Sequence, residues 1–179
     1  MGSPAELNQF LASVEKRAYA MAVTSVKERE DALDIVQDVM MTLARKYARK
    51  PSNQWPPLFF RILNNRITDY HRSRNLRRRF FGWLDATEDP GADPFDQVPG
   101  PQTNDPDRRN AIDTATDELQ SALAQLPLRQ QQAFMLRTWE GLDVKATARA
   151  MGCSDGSVKT HYSRAVHTLR TRLEEHYDG

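Results

Sequence analysis

The chain has 179 residues, with 25 Lys and Arg against 24 Asp and Glu and a formal net charge of +1. This length suits one ordinary domain or two small ones. The sequence has no run of about 18 apolar residues and no signal-peptide core, which predicts a cytoplasmic protein without membrane insertion. Cys153 is the only cysteine and the four His residues lack ligand spacing, so we expect no internal disulfide, no metal site and no cofactor.

The charge is distributed unevenly along the chain. Residues 1–81 carry 15 basic and 8 acidic side chains, residues 82–110 carry 2 and 7, and residues 111–179 carry 8 and 9. The net charges of the three blocks are therefore +7, −5 and −1. A basic first block favours a polyanionic partner, because neutralised phosphates release counterions. A plainly solvated charged surface is the alternative interpretation.

Apolar residues recur at spacings of three and four between Ala32 and Tyr47, which predicts a helix with one buried face. The opposite stripe offers an acidic, partly apolar ridge to a partner, although an isolated stripe of this kind is more often a solvated helix face. The ridge consists of Asp31, Asp34, Gln37, Asp38 and Met41.

A second helix is predicted after a break at Pro51, Pro56 and Pro57, because proline cannot continue a helix. Helical periodicity resumes over residues 58–73, with one apolar stripe and one polar, cationic stripe. Arginines then alternate with aromatic residues, a mixture that suits phosphate contacts and base stacking, although large aromatics alone are more often core residues. The polar stripe holds Arg61, Asn64, Asn65, Thr68 and Arg72, and the mixed run holds Arg72, Arg74, Arg77, Arg78, Arg79, Phe80, Phe81 and Trp83.

Five prolines and many acids fall between Asp85 and Asp107, so this stretch predicts an extended linker. After it, residues 111–124 predict a helix, and another begins after Pro127 and runs to about Glu140. The predicted fold is therefore all-α, with two small helical bundles at residues 5–84 and 111–177 joined by a flexible, acidic, Pro-rich linker at residues 85–110.

Residues 141–166 have the layout of a helix-turn-helix. A short helix from Val144 to Met151 ends at Gly152, which accepts the positive φ of a sharp turn. Ser154 then caps a second helix, whose outer face donates hydrogen bonds suited to phosphates and base edges. The inward face of this second helix holds Val158, Tyr162, Ala165, Val166 and Leu169.

These pieces, in this order, resemble a bacterial RNA polymerase sigma factor of the extracytoplasmic-function type, the smallest class, which has only the second and fourth conserved regions. The resemblance covers nearly the whole chain and rests on residues 31–38, 59–72, 126–134 and 156–160, with Arg164–Ala165 further on. Two matched modules around an unmatched linker are far more specific than any one segment. Leu33, Leu58 and Ala146–Thr147 depart from the family pattern, and Thr147 in place of isoleucine predicts looser packing of the second module.

The resemblance implies a transcription initiation factor that acts by binding. The ridge Asp31, Asp34, Gln37, Asp38 and Met41 would dock on the largest subunit of core RNA polymerase, and the second module on the next largest. The minus-ten element would be held open by Ser52, Asn53, Gln54, Trp55, Arg61, Asn64, Asn65, Thr68, Arg72, Arg74 and Arg77. The minus thirty-five element would be read by Arg129, Ser154, Ser157, Lys159, Thr160, His161, Ser163 and Arg164. An anti-sigma factor is the further partner that the resemblance implies.

Two alternatives of other classes remain at this point. A stand-alone helix-turn-helix regulator would bind duplex DNA as a dimer, but residues 1–81 lack the strand and helix alternation of a phospho-acceptor domain. An enzyme would have to use Asp34 and Asp38 as a carboxylate pair. These acids stand beside Gln37 without a histidine or metal ligands, so a surface role fits them better and we expect no catalytic activity.

Overall fold

The computed structural model describes residues 1–84 and 111–177, with side chains over 1–82 and 116–175. Both described ranges are α-helical, as predicted, and the proposed linker at 85–110 lies outside them. Their helices are α1 (Pro4–Val26), α2 (Arg29–Tyr47), α3 (Trp55–Leu84), α4 (Ala111–Ala124), α5 (Leu128–Phe134), α6 (Val144–Met151) and α7 (Asp155–Tyr177). None of these helices is long and apolar enough to cross a membrane.

Helices α1, α2 and α3 pack into one bundle. The sequence pattern gave no separate prediction for α1, whose start has a reciprocal cap: the Glu6 amide donates to Ser3 Oγ and the Ser3 amide donates to the Glu6 carboxylate. The buried face of α1, including Val14, Ala18 and Met21, faces the other two helices. This packing fixes the direction of α3, the longest helix of the described residues.

Helix α3 begins earlier and ends later than its periodicity predicted. It starts at Trp55 because Pro56 and Pro57 fall in its first turn, where a backbone N–H is not needed. It continues to Leu84 rather than ending at residue 73, and residues 75–82 in its last turns are exposed. Phe80 is 63% exposed and Phe81 59%, so the default expectation that these aromatics are core residues is wrong.

The second helical part follows its predicted order closely. Helix α4 has the predicted bounds, α5 continues through a π-helical turn at Met135–Trp139, and Gly141 follows with φ +63°. The Ala146 amide donates to Asp143 Oδ1 at 2.7 Å at the start of α6. Thr147 is fully buried, and its hydroxyl donates to the Asp143 carbonyl at 2.8 Å. Its hydroxyl is therefore satisfied within the helix.

The predicted helix-turn-helix geometry is present. Gly152 ends α6 with φ +65°, and the Ser157 amide donates to Ser154 Oγ at 3.1 Å to cap α7. Val158, Ala165 and Leu169 are buried, as predicted for the inward face of α7. The face that remains outside is the predicted DNA-reading one.

The two helical parts also pack against each other. Helix α3 lies on α6 and α1 contacts α4, and one hydrophobic cluster includes buried side chains from both parts. Arg17 of α1 forms an ion pair with Glu140, in which Nε lies 2.9 Å from Oε1. The described residues therefore form one packed body in this structure.

We expect the substitution Gly152→Ala to lower the free energy of unfolding by about 1 kcal/mol, because an L-residue is disfavoured at positive φ. A Cβ at Gly152 meets no atom within 4 Å, so the loss isolates the backbone effect. Gly156→Ala is the matched control, since Gly156 lies inside α7 and the nearest atom to its Cβ would be Ser154 Oγ at 3.9 Å. This control should gain up to about 1 kcal/mol in urea unfolding. Equal effects at the two sites would contradict the turn geometry.

Candidate nucleic-acid interface and acidic ridge

The acidic ridge on α2 divides into two flanks. The Asp31 carboxylate accepts a hydrogen bond from Tyr70 Oη at 2.8 Å, and Asp38 forms an ion pair with Arg66, so both acids brace α3. Asp34 and Gln37 point outward and are exposed. The outward flank also holds two apolar side chains, Leu33 at 56% exposure and Met41 at 46%.

The predicted ridge did not include Leu33. Its spacing of four from Gln37, which is itself four from Met41, is the signal that would have included it. Leu33 and Met41 lie near Asp34 on this flank, so the surface combines exposed apolar side chains with a carboxylate. Such a combination suits a protein partner that supplies both apolar area and a cation.

Tyr70 connects the ridge to the basic part of α3. Arg74 Nη1 donates to Tyr70 Oη at 2.7 Å, and its guanidinium lies 5.6 Å from the ring centroid. Burial raises the pKa of Tyr70, with a further contribution from its hydrogen bond to Asp31. The hydroxyl therefore stays protonated near neutral pH and can donate to Asp31 while accepting from Arg74.

Asn64 is the most unusual polar residue on α3. Its side chain is 2% exposed, yet neither Oδ1 nor Nδ2 has a hydrogen-bond partner. A buried amide without partners costs roughly 1–3 kcal/mol, so natural sequences seldom leave one for packing alone. Its neighbours on the predicted stripe differ in exposure: Asn65 and Arg72 are exposed, and Thr68 is half-buried.

The segment before α3 separates into exposed and buried positions. Ser52, Asn53 and Gln54 form an exposed turn. Trp55 is 1% exposed, its indole Nε1 donates to the Tyr47 carbonyl at 3.0 Å, and its ring lies 6.0 Å from that of Phe10. Trp55 therefore anchors the turn in the core, and the predicted base pocket is left with its other three residues.

The first turns of α7 present a polar and cationic surface. Lys159, Thr160, Ser163 and Arg164 are exposed, and Ser154 Oγ donates to Ser157 Oγ at 3.0 Å. These side chains share the N-terminal half of α7, where side chains of a helix-turn-helix reach base edges.

Arg129 and His161 lie beside this surface. Arg129 Nη1 donates to the Met151 carbonyl at 2.7 Å, which fastens α5 to the end of α6. Burial lowers the pKa of His161, and the nearby Arg129 and Arg164 lower it further. His161 is thus neutral near pH 7, so its ring carries both a hydrogen-bond donor and an acceptor.

Comparisons with known proteins match both helical parts. Residues 10–77 match the model of the Sigma-70 region 2 family, and residues 116–169 match that of Sigma-70, region 4. The chain is 31% identical to the RNA polymerase sigma-E factor of Streptomyces antibioticus, over 94% of this chain and 87% of that protein. It is 26% identical to the ECF RNA polymerase sigma factor EcfG of Rhodopseudomonas palustris, over 93% of this chain and 83% of that protein.

A solved structure shares the fold. The sigma factor RpoE of Bartonella quintana, crystallised with the anti-sigma factor NepR, aligns with a TM-score of 0.64 at 24% identity, over 93% of this chain and 96% of that chain. The match of the first part to region 2 excludes the two alternatives that the sequence left open, a stand-alone helix-turn-helix regulator and an enzyme. Matched in both regions and across its length, the chain belongs to the extracytoplasmic-function group of the sigma-70 family of RNA polymerase sigma factors.

Proposed function

We propose a division of labour within this sigma factor, which recognises promoters for RNA polymerase. The outward flank of α2 binds core polymerase, α3 and the turn before it open the minus-ten element, and α7 reads the minus thirty-five element. We place this activity in the bacterial cytoplasm, where promoter DNA and polymerase are found. Asn64 supports the assignment most directly, because its buried and unpaired amide has hydrogen bonds to offer a DNA base.

For polymerase binding, we propose that Leu33, Asp34, Gln37 and Met41 form the contact and that Asp31 and Asp38 act indirectly. The two braced acids hold α2 on α3 through Tyr70 and Arg66, so their loss would misplace the contact rather than remove part of it. The exposed apolar side chains supply the area that is removed from water on docking.

For the minus-ten element, we propose that Ser52, Asn53 and Gln54 contact a base that has left the stack. Arg61, Asn65 and Thr68 line the path of the separated strand along α3. Opening the duplex costs a few kcal/mol per base, which hydrogen bonds and stacking to the extruded base offset. The C-terminal half of α3, with Arg72, Arg74, Arg77, Phe80 and Phe81, extends this path with cations and exposed rings.

For the minus thirty-five element, we propose that Ser157, Lys159, Thr160, His161 and Arg164 enter the major groove. Arg129, Ser154 and Ser163 flank this set and contact phosphates. A second proposed partner is a sequestering protein, because the solved structure of RpoE from Bartonella quintana contains the anti-sigma factor NepR, and that of CnrH contains the cytosolic domain of CnrY.

We expect Asp34→Arg to weaken binding to core polymerase at least about tenfold, because the substitution replaces the outward carboxylate with a repelling cation. Glu15→Arg, an exposed acid on α1, makes the same charge change outside the ridge and should leave the affinity within about twofold. Fluorescence anisotropy with purified core polymerase measures both. Similar losses for the two variants would show that net charge, rather than the ridge, controls binding.

Asn64→Leu should raise the free energy of unfolding by about 1–2 kcal/mol, since it removes two buried polar atoms without partners. The same variant should lose most run-off transcription from a duplex promoter while still binding core polymerase. Asn65→Leu, one position along on the exposed side, controls the stability effect and should change it by less than about 0.5 kcal/mol. Destabilisation by Asn64→Leu would contradict the unpaired state of the amide.

Lys159→Ala and Arg164→Ala should each weaken promoter binding by the polymerase complex about fivefold to tenfold. They should also reduce the slope of log affinity against log salt concentration by about 1 where a phosphate contact is lost. Arg170→Ala removes the same charge from an exposed position farther along α7 and should have little effect. A loss at Arg170 equal to that at Arg164 would place the DNA contact elsewhere on the helix.

A further inference from the structure

A cleft of about 440 Å³ lies between the first helical part and the second. Helix α3 contributes Arg61 to its lining, α6 contributes Lys145 and Arg149, and the turn into α7 contributes Cys153 and Asp155. The volume falls within the roughly 300–1,000 Å³ that is usual for small-molecule sites. Four of these five side chains are charged at neutral pH, so the cleft suits a charged ligand better than an apolar one.

The charges in this cleft do not balance. Arg61, Lys145 and Arg149 are cations and Asp155 is the single acid of the lining, which leaves a net charge of +2. Among the described side chains at 1–82 and 116–175, none of the three cations has an ion pair or a hydrogen bond. Cations that share a concave surface repel one another and raise the local concentration of anions. An anion in the cleft would therefore supply the missing counter-charge.

The placement of the cations indicates the class of anion. Lys145 and Arg149 are four residues apart and share one face of α6, and Arg61 reaches the same cleft from α3. Arginine binds phosphate through two parallel hydrogen bonds, and lysine binds it as a point charge. A single carboxylate has only two oxygens for three cations on two helices. A chain of linked phosphates has more oxygens and several negative charges, so it suits this set better.

We propose that this cleft binds a small anion with linked phosphates, and that Arg61, Lys145 and Arg149 hold it between α3 and α6. This site is separate from promoter recognition, since binding requires neither polymerase nor DNA. Arg61 is also proposed to line the path of the open strand, so the DNA backbone is the other source of the same chemistry. The bounded volume of the cleft favours the small ligand.

Cys153 provides a reporter inside the cleft, because it is the only cysteine of the chain. Burial raises the pKa of its thiol, and a bound polyanion would raise it further while covering the sulfur. Alkylation needs the thiolate, so saturating tripolyphosphate should slow it at least about threefold. The full chain is treated with iodoacetamide in magnesium-free buffer and followed by mass spectrometry, with sodium chloride of equal ionic strength as the control. An unchanged rate at every tripolyphosphate concentration would overturn the site.

Variants locate the site through the tripolyphosphate concentration that protects Cys153. Lys145→Ala and Arg149→Ala should each raise the dissociation constant at least about fivefold, because each removes a charge-assisted hydrogen bond. Lys46→Ala and Arg45→Ala remove the same charges from exposed positions on α2 and should leave it within about twofold. Equal losses at the α2 positions would show general charge attraction and overturn the site.

Asp155→Asn tests the sign of the charge effect. It removes the single acid of the lining and should lower the dissociation constant for tripolyphosphate at least about twofold. A disturbed fold could not produce such a gain in affinity, so this variant remains informative if the alanine variants lose stability. Weaker binding by Asp155→Asn would overturn an anion site.

Two comparisons test the bridging role and the source of the phosphate. Arg61→Ala should weaken tripolyphosphate binding about as much as Arg149→Ala, because the ligand contacts both helices. No loss at Arg61 would overturn the bridging role. Random-sequence single-stranded DNA at the same phosphate concentration should protect Cys153 less than tripolyphosphate does, and protection by DNA alone would overturn the small ligand. Because no polymerase is present, these negative results would leave the promoter function standing.

Discussion

The structure depends on how α3 is held. Its apolar side packs on α1 and α2, its first turn is anchored by Trp55, and two bonded pairs, Asp31 with Tyr70 and Asp38 with Arg66, tie it to α2. A helix restrained on these sides presents a fixed polar stripe, and fixed geometry is what a strand-separating surface needs. The ridge proposed to bind polymerase and the stripe proposed to bind DNA are therefore parts of one bundle.

The same restraint supports the proposal that this protein opens DNA by binding alone, without catalytic chemistry. Opening is driven by binding, so only contacts that are stronger with the separated strand than with the duplex can favour it. Asn64 fits this requirement because its amide is unsatisfied within the protein. Burying this unpaired amide lowers the stability of the protein. Functional sites often contain residues that lower stability in this way, and a role in DNA binding would account for Asn64.

Much of this arrangement could be predicted from local patterns. The turn between α6 and α7 could be predicted from Gly152 and Ser154. A positive φ and a helix cap each depend on the type of a single residue, so both can be recognised in the sequence. The early start of α3 was missed because the prolines suggested a barrier, whereas Pro56 and Pro57 occupy a first turn that tolerates them. The buried state of Trp55 could not be predicted, since it depends on Phe10, a residue 45 positions away on another helix.

Contacts between the two helical parts could not be predicted from the sequence either. Arg17 and Glu140 are 123 residues apart, and no periodicity relates them. The division of the acidic ridge into braced and outward flanks could not be predicted for the same reason. Asp31 and Asp38 differ from Asp34 only in having partners on α3.

The most direct test of the central claim, that α3 opens DNA while α2 binds polymerase, compares duplex and premelted promoters. Promoters selected with the wild-type protein and core polymerase would be rebuilt with mismatched minus-ten elements, and run-off transcription measured with Asn64→Leu and Asp34→Arg. The account predicts that premelting restores activity to Asn64→Leu and leaves Asp34→Arg inactive. Equal rescue of both variants, or of neither, would contradict the separate roles of the two helices.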